Sequence, residues 1–276
     1  MTGPALRFRD VSLTYRGAAE PALDRVSFDV AAGDGVALLG ANGAGKTTAL
    51  RLAMALIHPT TGSVTAGGRA TAGAAPEDLA GRVGYLFQRP EDQLFERTVL
   101  REVSFGPHRL GWSAARTAAA VGRVLAELGL SPFADAHPYD LPAPRRRLVG
   151  LAAALVTEPA LLLLDEPTAG LDRSARALVR DVVTARRGAG TGVLAVTHDG
   201  EFVVEALDRA IALERGRIVA DAAAAGVIGA GLHGVPDWPP YAEVAIGLGL
   251  RPRSPRMDDV AAALSERCRA EPPSLS

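Results

Sequence analysis

Residues 40–47 read Gly-Ala-Asn-Gly-Ala-Gly-Lys-Thr, and their flanks leave them one setting. Before them, residues 36–39 form a short continuous apolar run of the kind buried on both faces of a parallel sheet. After them, residues 47–57 have a helix-compatible pattern closed by His58-Pro59. The order is strand, loop, helix, with G-x-x-x-x-G-K-[ST] at the turn. Glycines in such a turn let successive backbone N–H groups wrap around phosphate oxygens, and the helix N-terminus adds a favourable dipole. Lys46 is placed to reach β and γ phosphates and the Thr47 hydroxyl to ligate Mg²⁺. Gly40, Asn42, Gly43, Ala44, Gly45, Lys46, Thr47 and Thr48 are therefore the candidate ATP-binding residues.

Lys46 is the only lysine in 276 residues, although the chain carries 30 basic side chains. A genomic base-composition bias explains why the others are arginine but not the exception. A compact ammonium on a flexible stem can lie along a phosphate chain inside a tight loop where a planar guanidinium does not fit. The 30 basic residues nearly balance 31 acidic ones, which argues against a nucleic-acid partner. Cys268, the single cysteine, excludes an internal disulfide, and no charged-then-apolar leader opens the sequence. A cytosolic protein is expected. The longest strongly apolar stretch, residues 148–156, is interrupted by Gly150 and falls short of the ~20 residues that span a bilayer, so membrane contact requires a partner.

Residues 6–15 and 26–30 alternate roughly apolar and polar, predicting antiparallel strands early in the fold. Residues 161–164 and 193–196 are buried-strand candidates, each followed by acidic or histidine residues. Polar groups at the carboxyl ends of strands are where ligands bind in open α/β sheets. Residues 113–128 and 143–156 are Ala- and Leu-rich and helical in pattern, predicting a helical subdomain inserted at about 90–158. Composition shifts at 220, so a core domain over 1–220 and an appendage over 221–276 are expected, with short helices at 241–248 and 257–269 and a Pro/Ser tail.

Four leucines at 161–164 deliver Asp165 and Glu166, one carboxylate to hold Mg²⁺ through water and one to polarise the attacking water. Adjacent acids at a strand end read alone as a solvated turn; the phosphate loop reverses that weighting. His198, after residues 194–197, is compatible by itself with a structural role.

Over roughly residues 5–220 the sequence resembles the nucleotide-binding subunits of ABC transporters. The resemblance implies an α/β P-loop NTPase core with an antiparallel β subdomain, an inserted helical subdomain and a small C-terminal appendage. Leu86-Phe87-Gln88 matches the family's glutamine loop, implying that Gln88 contacts Mg²⁺ and the attacking water. Asp165-Glu166-Pro167-Thr168 matches Walker B, Gly170-Leu171-Asp172 the D-loop that places Asp172 near nucleotide, and Thr197-His198-Asp199 the switch histidine. Tyr15 lies where the family places an aromatic stacked on adenine; a strand residue packed on a neighbour is the alternative. Residues 87–95, 98–99 and 103–107 look like the energy-coupling-factor and cobalt-transporter branch. That implies import of a vitamin or transition-metal ion at the cytoplasmic face of the membrane, with a second ATPase, a transmembrane coupling subunit and a substrate-binding membrane protein as partners. Phe95 and Phe105 are the expected exposed aromatics of the membrane-facing surface, and the tail after 220 is similar to the appendage by which members of this branch pair.

One departure stands out. Where the family has Leu-Ser-Gly-Gly-Gln, this chain reads Leu141-Pro142-Ala143-Pro144-Arg145, and proline removes two backbone donors. Arg145, Arg146 and Arg147 are read as solvated basic residues, with charge compensation by Arg145 or Arg146 left open. A heterodimer with a partner that supplies an intact signature is therefore expected over a slow homodimer. A regulatory module with little hydrolysis is opposed by retention of Glu166, Gln88 and His198. A non-transport ATPase acting on nucleic acid is opposed by the charge balance.

Overall fold

Alternating apolar and polar residues produce a sheet with one covered face. In the computed structural model, which describes residues 3–250 and 256–270, β1 (Leu6–Leu13) pairs antiparallel with β2 (Leu23–Val30). Phe8 stands opposite Phe28 with ring centroids 4.7 Å apart. Next come β3 (Gly35–Leu39) and α1 (Lys46–Ala53). The helix stops short of the 47–57 pattern because Ala55, at φ +55°, takes the left-handed conformation that closes helices. β4 (Thr61–Ala66) returns to β1, and the two-residue β5 (Arg69–Ala70) completes a sheet in the order β2-β1-β4-β5.

After β6 (Val83–Leu86) the chain runs into α2 (Val99–Arg109), α3 (Ala114–Glu127) and α4 (Ala143–Leu155). The Thr98 and Ser113 hydroxyls cap α2 and α3 by accepting from the amides of Arg101 and Arg116. Helix α4 has Pro142 at its N-cap and no side-chain capping bond. β7 (Leu161–Asp165), α5 (Arg173–Gly188), β8 (Gly192–Val196), α6 (Gly200–Ala206), β9 (Arg209–Glu214) and β10 (Arg217–Ala223) follow. They complete a second sheet ordered β10-β9-β3-β8-β7-β6, parallel except for β10.

Successive residues of its strands point to opposite faces, which divides the core in two. Ala37, Leu39, Leu162 and Leu164 pack with α2 to α6, whereas Val36, Leu38, Leu161 and Leu163 pack with α1 and the antiparallel sheet. The carboxyl ends of β3, β6, β7 and β8 share one edge and deliver Gly40, Phe87-Gln88, Glu166 and Thr197-His198 there.

The composition shift at 220 falls inside β10, which continues to Ala223, so the sequence-based boundary cuts a strand. α7 (Ala224–Val227) still buries Ala224 and Val227 in the helix-side core. Beyond it, α8 (Pro240–Gly247) and α9 (Met257–Ala270) share a small cluster of Ala242, Ala245, Leu250 and Val260. Trp238 touches both clusters, and its indole Nε1 donates to the Ile228 carbonyl at 2.6 Å. The Pro/Ser tail at 271–276 lies outside the described residues. Among the described residues no helix is long and apolar enough to cross a membrane.

Candidate functional site

The phosphate loop is shaped by what surrounds it. Gly40 sits at φ +136°, where a Cβ would stand 2.2 Å from the Leu213 carbonyl oxygen, so no other residue fits. The Ala44 amide donates to the Ala41 carbonyl at 3.1 Å, and the Ala44 carbonyl accepts from Gly216 at 3.1 Å. Lys46 folds its stem beneath the turn and donates from Nζ to the Gly40 and Ala41 carbonyls at 2.5 and 3.0 Å. Burial pulls its pKa down, and the charges of Glu166 and Asp165 push it back up.

Opposite this loop, β7 and β8 pair with Asp165 beside Val196, which brings both acids and His198 to the same mouth. Asp165 is pushed up to about 6 by burial and then by the Glu166 charge, against the pull of Lys46, Arg147 and Arg51. Glu166 has φ +52°, uncommon for a residue with a Cβ, and its amide donates to the Val196 carbonyl at 2.8 Å. The Tyr15 hydroxyl lies 3.2 Å from the Thr48 hydroxyl at the rim.

All the expected site residues except Gly40, Ala44 and Asp172 line one cavity of about 320 Å³. Gly40 and Ala44 shape the loop from behind. Asp172 stands outside that cavity and caps α5, accepting from the Ala175 amide and the Ser174 hydroxyl at 2.8 Å each, and these bonds hold its carboxyl below the usual range.

The arginines after the altered signature correct the expectation that all three are solvated, because only Arg145 is exposed. Its guanidinium lies 4.1 Å from the Phe133 ring centroid. Arg146 faces Glu91 at 3.5 Å. Arg147 is buried, donating from Nη1 to the Glu166 carbonyl and from Nη2 to the Gln88 carbonyl, both at 2.8 Å. Burial pulls its pKa down, against the charges of Glu166, Glu91 and Asp165. The signal was available: 147 precedes 151 and 155 along a helix buried nearly all round, so its side chain cannot be solvated there. Gln93, which lies within the 87–95 stretch and was given no role there, donates to the Gly150 carbonyl at 2.9 Å and accepts from the Phe87 amide at 3.2 Å. The glutamine loop is thus tied twice to α4.

Two further contacts frame the site. Phe95 and Phe105 are 62% and 41% exposed and meet edge to face at 4.8 Å. The Phe95 loop is held by buried Glu102, whose Oε2 accepts the Phe95 and Glu96 amides at 2.9 and 2.7 Å. On the other flank, Gly234, at φ +75°, lies against the phosphate loop so closely that a Cβ would stand 2.1 Å from the Ala41 nitrogen.

A two-sheet α/β core with a phosphate loop, two strand-end acids and a strand-end histidine around one cavity defines a P-loop ATPase of the ABC type, and the family "ABC transporter" matches residues 23–169. The chain belongs to the ABC transporter family as an ATP-binding subunit, an ATPase coupled to transport, in the cobalt-transporter and energy-coupling-factor branch. It is 38% identical over 234 residues to the nickel import ATP-binding protein NikO of Rhodobacter capsulatus, covering 82% of this chain and 91% of that protein. It is 39% identical over 228 residues to the cobalt import ATP-binding protein CbiO of the same organism, covering 82% of this chain and 81% of that protein. The structure of cbiO1 from Clostridium perfringens, part of the ABC transporter complex cbiONQ, superposes with a TM-score of 0.73 at 26% identity, covering 81% of this chain and 90% of that one.

Proposed function

We propose that this chain is the ATP-hydrolysing subunit of an energy-coupling-factor type importer for a transition-metal ion or vitamin, working at the cytoplasmic face of the membrane. We propose further that its full turnover needs a different partner ATPase. The observation that carries the reading is the meeting of Lys46, Thr47, Gln88, Asp165, Glu166 and His198 around one cavity, while α4 begins at Pro142 with no capping hydroxyl. The names of the nickel and cobalt relatives support the substrate class. The exposed Phe95–Phe105 pair beside the glutamine loop supports a docking surface for the transmembrane coupling subunit. The α8–α9 appendage is assigned to pairing between ATPases.

In this reading Lys46 and the loop amides bind and orient the β and γ phosphates, while Tyr15 carries the adenine at the rim. Glu166 accepts the proton of the attacking water, and His198 contacts the γ-phosphate. Thr47, Gln88 and Asp165 offer only oxygen donors to the shared cavity, the set that suits Mg²⁺, and these residues would hold it. The ion when bound neutralises phosphate charge. The opposite nucleotide, held by the partner, faces Pro142 and Pro144, which have no N–H to give.

The test is ATPase activity of the chain alone, of the chain with its partner, and of a chain carrying Ser-Gly-Gly-Gln at 142–145. Loss of one preorganised donor typically costs about 10²–10³ in rate, so the restored chain should gain on the order of 10² when alone. Vigorous hydrolysis by the unaltered chain alone, eliminated by Glu166→Gln, would remove the requirement for a partner.

A further inference from the structure

The two halves of the cavity mouth are joined by one buried cation. Gln88 follows β6 and Glu166 follows β7; Arg147, from the second turn of α4, reaches the main-chain carbonyls of both. A guanidinium presents its donors in a fixed planar fork, so two bonds made at once fix the separation and direction of the two carbonyls as well as their existence. That matters most at Glu166, whose backbone occupies a sparsely populated region at φ +52°. Its amide is held by Val196 and its carbonyl by Arg147, so the peptides on both sides of the acid are pinned. The glutamine loop is held in the same manner, with Gln93 linking Phe87 to the Gly150 carbonyl one turn further along α4.

We propose that Arg147 is a positioning residue for hydrolysis, setting Gln88 and Glu166 in one geometry and making both follow the orientation of α4. The proposal rests on the reading of Glu166 and Gln88 as hydrolytic residues. It gives the helix that opens with the altered signature a direct hold on this chain's own site. A movement of α4 relative to the central sheet must either carry the Gln88 and Glu166 carbonyls with it or break the bonds to them. The ATP-binding groups of the phosphate loop make no bond to Arg147: Lys46 donates to the Gly40 and Ala41 carbonyls, and the Ala44 amide to the Ala41 carbonyl. Binding and turnover should therefore separate.

The experiment uses the assembled transporter, with the partner ATPase and membrane subunits present. Steady-state hydrolysis against ATP concentration and titration with a fluorescent ATP analogue are compared for wild type, Arg147→Met, Arg147→Lys and Glu166→Gln. Misplacement of a catalytic group by about 1 Å can cost around 10²-fold. Arg147→Met should lower kcat by roughly 10- to 100-fold while analogue affinity changes less than about threefold. Arg147→Lys, able to hold one carbonyl but not fork to two, should fall between. If Arg147→Met fails to fold, as thermal unfolding would report, Arg147→Lys alone decides: reduced kcat at unchanged affinity supports the proposal, and unchanged kcat overturns it. A kcat within about twofold of wild type in a folded Arg147→Met, or parallel losses of kcat and affinity, also overturns it. If Glu166→Gln abolishes turnover and Arg147→Met does not, only the positioning role fails. Turnover that survives Glu166→Gln removes the reading of the site, and the positioning role with it.

Discussion

His198 approaches Glu166 from two directions: its backbone amide donates to Oε2 at 3.3 Å, and its ring Nε2 lies 3.6 Å from Oε1. The Glu166 side chain is mostly buried and the histidine half exposed, so the acid is held while the imidazole stays open to the cavity. Glu166→Gln keeps the shape and the acceptor oxygen but cannot take a proton. Hydrolysis by the assembled transporter should fall by about 10²–10⁴ with nucleotide affinity unchanged. Turnover measured beside an ATP-analogue titration checks this, and surviving turnover would exclude Glu166 as the base.

Lys46→Ala removes the ammonium that donates to the Gly40 and Ala41 carbonyls of the phosphate loop. Charge-assisted hydrogen bonds are worth about 1.5–3 kcal/mol each, so nucleotide binding should weaken by at least about 10²-fold, to the point of being lost in a fluorescence titration. Unchanged affinity would mean that this loop does not hold the phosphates.

The contact between Gly234 and Ala41 makes the segment before the appendage part of the loop's support. Gly234→Ala adds a Cβ where 2.1 Å is available and keeps a left-handed backbone that costs about 1–2 kcal/mol. Weaker nucleotide binding, by up to about tenfold, is the expected result. Gly226→Ala is the control, since a Cβ there meets nothing within 4 Å. Equal affinity in the two variants would show that the strain is absorbed away from the loop.

Phe95→Asp should abolish co-purification of the transmembrane coupling subunit while leaving ATP binding intact. Glu102 keeps the Phe95 backbone in place in the variant, so the change is confined to the exposed surface. Normal recovery of the complex would take this surface out of consideration.

The strand-end residues were legible because a buried run announces itself. Residues 36–39 and 161–164 are apolar without interruption, and the first polar residue after each falls at the carboxyl edge of the sheet. β6 was not legible: it has four residues, and Gly84 is required there because a Cβ would meet the Ala154 carbonyl 2.3 Å away. Helix α5 escaped notice because only Val179, Val182 and Val183 of its 16 residues are buried, amid arginines and with β-branched side chains that suit strands as well. Arg147 was misread because three adjacent arginines look alike in sequence and differ only in which way the helix turns each of them. The Gly234–Ala41 contact joins positions far apart in the chain, and no local pattern reports it.

The single lysine has a use beyond the phosphates. A lysine-specific protease has one bond to cut in 276 residues, the Lys46–Thr47 peptide, which divides the phosphate loop from the helix it nucleates. Lys46 is 7% exposed, so cutting requires that this turn open first. The unaltered chain therefore carries its own opening gauge: appearance of two fragments reads the fraction of molecules whose loop has come undone, and ATP should slow it in proportion to occupancy.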